Sequence, residues 1–401
     1  MSILKNNNLF ISFYADDTRF FHSISKIING KSYFYSIYLS GIFYLLLKFR
    51  IPLNFNNKFL KNKTISTESI NDIIKYEKIQ NIFNEINLHN AAKKYIYIFN
   101  YLIQSKNINK LYLSGDTRLI IKAAEYAGKL NNCKIMYFEQ GPFETSILDE
   151  NGVNKDCSFR DVDFTPNNAN INNVKNPKIK WINYLRVFDI VLYNLFNYKS
   201  DHLRNEVGYN LFKENSIKTR TRSMKYILLI LQVPNDANMI LNSPNFTRHI
   251  DILKWTYENI PKEYDLVVRE HPKFIGRYET ELYDYILSKN IVVDNMELCK
   301  SINDASLIVV NNSTVGIEAV FMNKKVVVLG DSYYDKIKCV FKYKKESTPK
   351  DFFEKAINSK LNNESGYSFI NYLLENELIG FHFRDKNYNL NDKILIKKLT
   401  K

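Results

Sequence analysis

The chain has no cysteine pair at CxxC spacing, no Walker loop, no GxGxxG, no GxSxG and no HExxH. Those absences remove the usual signals for nucleotide hydrolysis, dinucleotide redox chemistry, serine hydrolysis and zinc proteolysis. Four cysteines (Cys133, Cys157, Cys299 and Cys339) are scattered through 401 residues. A chain this long needs no covalent staples, so reduced thiols in a cytosolic setting are the expectation. No signal-peptide pattern opens the sequence: Asn6, Asn7 and Asn8 precede a short apolar run that soon meets Asp16 and Asp17. The most apolar run, from Ser36 to Phe49, has 14 residues, short of the roughly 20 that span a bilayer, and reads as a buried helix. Acidic residues are also scarce, 42 against 56 Lys and Arg, for a net charge of +14. Such an excess suggests a polyanionic partner, whether nucleic acid, a phosphorylated substrate or an anionic membrane face, and charge alone does not choose among them. Nucleic acid is not expected, because the basic residues are interspersed with acids on no recognisable binding module.

With 45% hydrophobic residues, the chain can bury large cores, and at about 150 residues per domain it should form two or three. LFISFY near the start reads as a strand, and Ser69 to Gln104 as helical. Leu111 to Leu113, a helix from Arg118 to Leu130 and a strand at Lys134 to Phe138 make one βαβ crossover. A looser stretch follows, Asn-rich, then aromatic, then basic at Lys218, Arg220 and Arg222. From Tyr226 onward strands alternate with helices: a helix at His249 to Asn259, strands at Asp265 to Arg269 and Leu307 to Val310, and a strand at Lys325 to Leu329. That alternation predicts an α/β, doubly wound parallel sheet. The expected division is a first domain over 1–160, an insertion over 161–223, a second domain over 224–372 and a tail over 373–401.

Open α/β sheets bind ligands at the C-terminal ends of their strands. Asp116 and Glu139 fall at two such ends, with Gln140 and Gly141 beside Glu139, Arg118 just after Asp116, and Asp149 in the loop that follows. In the second domain, Arg269 and His271-Pro272 close one strand, the proline fixing the backbone beside the imidazole. Asn312, Ser313, Thr314 and Gly316 lead from another strand into a helix, where hydroxyls and N–H groups suit a phosphate. Gln232, Asn235 and Asp236 leave a third strand in a polar loop. Asp161 and Asp163 formally match a DxD metal motif but lie in the loose stretch, so no metal site is expected.

Taken together, LSGDTRL, YFEQGPFETSILDENGVN, LQVPNDANMILNSP, REHPK and VVNNSTVGIEAVFMNKKVVVLGDSYYD resemble the capsule polysaccharide biosynthesis family. Within it they are most similar to the KpsS-like enzymes that transfer Kdo from CMP-Kdo. The resemblance implies a GT-B-like fold, two Rossmann-like doubly wound domains facing a central cleft, with no cofactor and no essential metal. It implies that His271, Pro272, Gln232 and Asn312 to Gly316 contact the CMP donor, and that Glu139 and Asp116 face the sugar with Arg118, Arg269, Gln140 and Gly141 around them. Related β-Kdo transferases retain configuration, which needs a carboxylate nucleophile or a front-face route. Family members often carry a second acid after the first in this turn, where Gln140 stands here, so Glu139, Asp116 and Asp149 all remain nucleophile candidates. The implied partners are a CMP-sugar, an anionic lipid or glycolipid acceptor and capsule assembly proteins, at the cytoplasmic face of the inner membrane. Alternatives are another CMP- or UDP-sugar donor, or a non-catalytic assembly subunit.

Overall fold

Runs of aromatic and branched aliphatic residues set the strands of this computed structural model, which describes residues 7–55, 65–81, 83–162, 183–189, 225–234, 236–360 and 363–400. In chain order they are β1 (Asn7–Ser12), β2 (Ser32–Ser36), β3 (Ile108–Ser114), β4 (Lys134–Gln140), β5 (Ser146–Asp149) and β6 (Tyr226–Ile230). Then come β7 (Asp265–Arg269), β8 (Val292–Val293), β9 (Leu307–Val310), β10 (Val326–Val328), β11 (Val340–Lys342) and β12 (Leu378–Ile379). They build two six-stranded sheets, each at the heart of its own Rossmann-like α/β unit.

The first unit holds the described residues up to 158, together with 183–189 and 374–400. Its sheet runs β12-β5-β4-β3-β1-β2, with β2, β1, β3 and β4 parallel and β5 and β12 antiparallel at one edge. The chain reverses between β1 and β3 in strand order, so the crevice of this sheet lies at their C-terminal ends. Its core is largely aromatic: Phe10 stacks on Tyr112, its partner across β1 and β3, at 4.5 Å, and Phe20 on Phe138 at 4.5 Å. Helix Leu119–Leu130 follows β3 as the crossover pattern predicts.

Three local expectations change. Glu139 and Gln140 continue β4 instead of turning, because the partner strand β5 pairs with them as a hairpin, Glu139 opposite Ile147. The turn itself is pushed to 141–145, where Phe143 and Glu144 take positive φ. The apolar run yields a helix only over Leu39–Leu47, since Ser36 ends β2. The segment expected as a tail instead returns to the first sheet through β12, and helix Lys393–Thr400 packs its Leu395 into the aromatic core. The basic triplet Lys218, Arg220 and Arg222 lies outside the described residues, as do Asn235 and Asp163.

The second unit holds 159–162 and 225–373 of the described residues. Its sheet runs β11-β10-β9-β6-β7-β8 and every pairing is parallel. Counted from β6 as strand one, that is the 3-2-1-4-5-6 order of the Rossmann fold, and its switch point falls between β6 and β9. Near-continuous Val, Ile and Leu in these strands reflect burial on both faces.

Candidate functional site

At the switch point of the second sheet the structure gathers four residues that the sequence had scattered. The Tyr278 hydroxyl accepts the His271 N–H at 2.9 Å and donates to the Gln232 carbonyl at 3.1 Å. The Gln232 side chain in turn donates to Asn312 Oδ1 at 3.0 Å. The ends of β7, β6 and β9 are thus tied by one hydrogen-bonded chain. Asn312 goes further, donating to the carbonyls of Asn238 and Asn242 at 3.0 Å each. Both amides are buried and spent on these bonds, so they shape the crevice and do not reach outward.

What faces outward is the imidazole of His271 and the start of helix Val315–Phe321. Nδ1 of His271 accepts the Lys273 N–H at 3.3 Å, which leaves the ring proton on Nε2 as a donor. Burial, then the Lys273 charge, lowers its pKa, so the ring is neutral at pH 7. Pro272 is exposed beside it. Within the helix start, the Gly316 and Ile317 N–H groups are taken by Ser313 and Thr314 carbonyls, and the Val315 N–H by the Ser313 hydroxyl. The groups left for a ligand among the described residues are the Thr314 hydroxyl and the Ser313 and Thr314 N–H groups. Gly316 is required by packing, because a Cβ there would lie 2.3 Å from the Tyr334 hydroxyl oxygen.

LGDSYYD acts as the brace of this loop. Tyr334 donates to the Ser313 carbonyl. Asp335 takes a bidentate pair from Arg160, at 3.1 and 2.8 Å, with Lys342 at 3.5 Å. Asp161 of the DxD match is paired with Lys336. Arg269, expected to face the cleft, instead lies against buried Asp294 and donates to the Met296 carbonyl at 2.6 Å, a structural bond under the end of β7. Among the described residues no group of three His, Cys, Asp or Glu is placed to hold a metal.

In the first unit the three acids separate. Asp149 is 0% exposed, and its Oδ1 accepts the N–H groups of Asn151, Gly152 and Ser158 at 2.9, 3.3 and 3.0 Å. The Ser158 hydroxyl donates to Oδ2, and Lys398 lies 3.8 Å away. Asp116 holds the same loop from the other side, through the Val153 N–H and the Asn154 side chain, both at 3.0 Å. Burial raises its pKa, with those bonds opposing. Gly152 lets the loop close on it, since a Cβ would meet Asp116 Oδ2 at 3.2 Å. Glu139 is exposed on β4, as is Gln140, and its carboxylate accepts the Gln140 N–H at 2.9 Å. Gly141 is buried in the turn against Thr145, at an approach that no Cβ allows.

The crevice of this sheet was only partly legible. Asp17 sits there, buried, taking the Phe13 and Tyr14 N–H groups at 2.7 Å each and the Ser114 hydroxyl at 2.9 Å. Burial drives its pKa up to about 6 against those bonds. Tyr14 stacks on Tyr38 at 4.8 Å, Arg186 lies over Tyr14 at 4.1 Å, and Arg118 over Tyr76 at 4.2 Å. An acid three residues into a helix after a strand was the signal available for Asp17. Nothing local marked Arg186, which lies in the 183–189 segment held to Asp16 and Ser40.

Residues 193–340 match the family model described as capsule polysaccharide biosynthesis protein. That stretch makes up less than half of the chain. It includes β6, β7 and β9 and the whole hydrogen-bonded chain from His271 to Asn312. The chain is 26% identical over 266 residues to the capsule polysaccharide export protein KpsS of Escherichia coli, covering 55% of this chain and 67% of that one. It is 33% identical over 117 residues to protein FixF of Sinorhizobium fredii (strain NBRC 101917 / NGR234), 27% of each chain. Among solved structures it resembles the beta Kdo 2,7 transferase of Thermosulfurimonas dismutans KpsC at 18% identity and a TM-score of 0.39, over 76% of this chain and 88% of that one.

Proposed function

We propose that this chain is a glycosyltransferase of capsule polysaccharide assembly that passes Kdo from CMP-Kdo to an anionic lipid or glycolipid acceptor. The observation that carries the reading is the tied set His271, Tyr278, Gln232 and Asn312 at a Rossmann switch point, inside the stretch that matches the capsule family. A crevice of that kind is where such sheets take nucleotides. The neutral imidazole offers Nε2–H, and Thr314 its hydroxyl, to a phosphate oxygen without a fixed positive charge that would hold the leaving CMP too firmly.

In the transfer, the bond between the Kdo anomeric carbon and the CMP phosphate oxygen breaks, and the leaving CMP keeps its electron pair. A bond to the acceptor hydroxyl oxygen forms, and that hydroxyl's proton passes to a base. Glu139 is the carboxylate assigned to this chemistry, as base on a front-face route or as nucleophile in a retaining double displacement. Asp116 and Asp149 hold the loop beside it. No step needs a metal, so EDTA should leave turnover unchanged. Arg118 is assigned to the acceptor's negative charge, and the enzyme works at the cytoplasmic face of the inner membrane.

The test is incubation of the purified chain with CMP-Kdo and lysophosphatidylglycerol. CMP release together with a mass gain of one Kdo on the lipid supports the reading; absence of both removes it. His271→Ala should weaken CMP binding about tenfold, the loss of one good hydrogen bond. Glu139→Gln should abolish turnover and leave CMP binding intact, whereas full turnover in that variant moves the chemistry to Asp116 or Asp149.

A further inference from the structure

The helix Leu39–Leu47 buries Ser40, Gly41, Tyr44 and Leu45 and then breaks off into an unusual end. Leu47 is 57% exposed, Phe49 96% and Ile51 81%, with Lys48 and Arg50 between them and Leu46 also exposed. The helix stops where a glycine is the common choice: the Arg50 N–H returns to the Leu45 carbonyl at 2.9 Å, and Phe49 takes φ of 54°. An aromatic L-residue in the left-handed region is strained, and here the strain turns its ring fully into water. Two unfavourable features therefore fall on one side chain, and folding of the chain itself relieves neither.

We propose that residues 46–51 are a membrane-docking turn that inserts Leu47, Phe49 and Ile51 into the interface of an anionic bilayer while Lys48 and Arg50 meet lipid phosphates. The alternation of apolar and cationic residues is what an interfacial segment requires, apolar side chains entering the acyl boundary and long cations staying at the headgroups. The net charge of +14 favours an anionic surface. A folded protein partner fits less well, because one turn with four apolar side chains is far below the roughly 20 residues a side of a specific interface. No helix among the described residues is long and apolar enough to cross a membrane. The inference stands apart from the transferase reading, since its test needs no donor and no turnover.

The experiment is sedimentation of the full chain with vesicles of phosphatidylcholine alone or with phosphatidylglycerol added. The wild type should bind the phosphatidylglycerol vesicles, less so at high salt. Phe49→Ser with Ile51→Ser should lower the partition coefficient at least about tenfold, and Lys48→Glu with Arg50→Glu should abolish the preference for anionic lipid. Leu287→Ser, at an exposed apolar position of the second unit, should bind as wild type does. Phe49→Gly separates docking from folding: it should raise Tm by relieving the left-handed strain and still lose vesicle binding. The proposal is overturned if the wild type ignores both vesicles, if the Phe49 and Ile51 double variant binds normally, or if Phe49→Gly lowers Tm. It is overturned equally if the double variant turns a dimer into a monomer by light scattering while neither form binds vesicles, which would make a second copy the occupant.

Discussion

At the crevice of the first sheet, between the ends of β1 and β3, a buried carboxylate, Asp17, is surrounded by three donors of its own chain, with guanidinium groups on aromatic rings beside it. At the corresponding crevice of the second sheet, between β6 and β9, the groups are two amides, a tyrosine hydroxyl and a neutral imidazole. The same fold has been given opposite electrostatics. A buried charge must be saturated from within, so Asp17 has little left to offer a ligand, and the cations of that crevice, Arg118 and Arg186, lie over the Tyr76 and Tyr14 rings. Neutral groups can be tied to one another and still leave Nε2–H of His271 and the Thr314 hydroxyl facing outward, because no uncompensated charge is desolvated.

The comparison breaks most sharply at Asp149. Its carboxylate satisfies three N–H groups and a hydroxyl in the first unit, and Asp149→Ala strands them all, so a loss of about 4 kcal/mol is expected in urea unfolding. Glu139→Gln, on the exposed face of β4, should unfold within about 0.5 kcal/mol of wild type. Equal losses in the two would undo the division between the acid that holds a loop and the acid proposed to react. In the second unit Asn312→Ala removes three bonds of the neutral network, for about 3 kcal/mol by the same assay, and should reduce CMP binding even though the side chain points inward.

Acid should separate the two units next. Burial lowers the His249 pKa to about 4, only partly opposed by the Gln232 backbone. A histidine held below its ordinary 6.5 stabilises the fold above pH 6.5 and loses that contribution as pH falls towards 4. For His249 this is about 3 kcal/mol across the window. His271 in the same unit shifts in the same direction. In the first unit, burial likewise lowers His22 to about 4, but Asp17, raised to about 6, works against it. A carboxyl raised in the fold favours the fold at low pH and loses that advantage as pH rises towards 6. Asp116 and Asp189 are raised as well, whereas among the described residues of the second unit Glu318 is the one carboxyl raised. Hydrogen exchange at pH 4.5 should therefore show the second unit opening before the first, and the reverse order would contradict the electrostatic contrast. The smallest effect is Arg118→Ala, about 0.5 kcal/mol from its contact with Tyr76, visible as a slight fall in Tm.

Much of this was legible in the linear sequence. Helix His249–Asn259 and strands Asp265–Arg269 and Leu307–Val310 fall where periodicity put them, because a fully buried apolar run between turn residues has few other solutions. The long, strongly patterned elements follow from their own residues. Short strands do not: β5 and β12 have four and two residues, and each is a strand only because its neighbours offer it hydrogen bonds. The site divides in the same way. Asp116, Glu139, His271 and Asn312 stand at strand ends, a position that local pattern reveals. Tyr278, Asp17 and Arg186 carried no such mark.

By itself the sequence determined which segments are buried, the alternation of strand and helix that makes each unit α/β, and the polar residues available where strands stop. Tertiary structure alone decided which of those residues meet. Gln232 and Asn312 are 80 positions apart and touch because β9 is laid beside β6. Glu139 stays exposed while Asp116 and Asp149 are drawn into one loop, because β5 folds back on β4. Hydrogen-bond partners between loops are fixed by strand order, a long-range property that no local window of residues encodes.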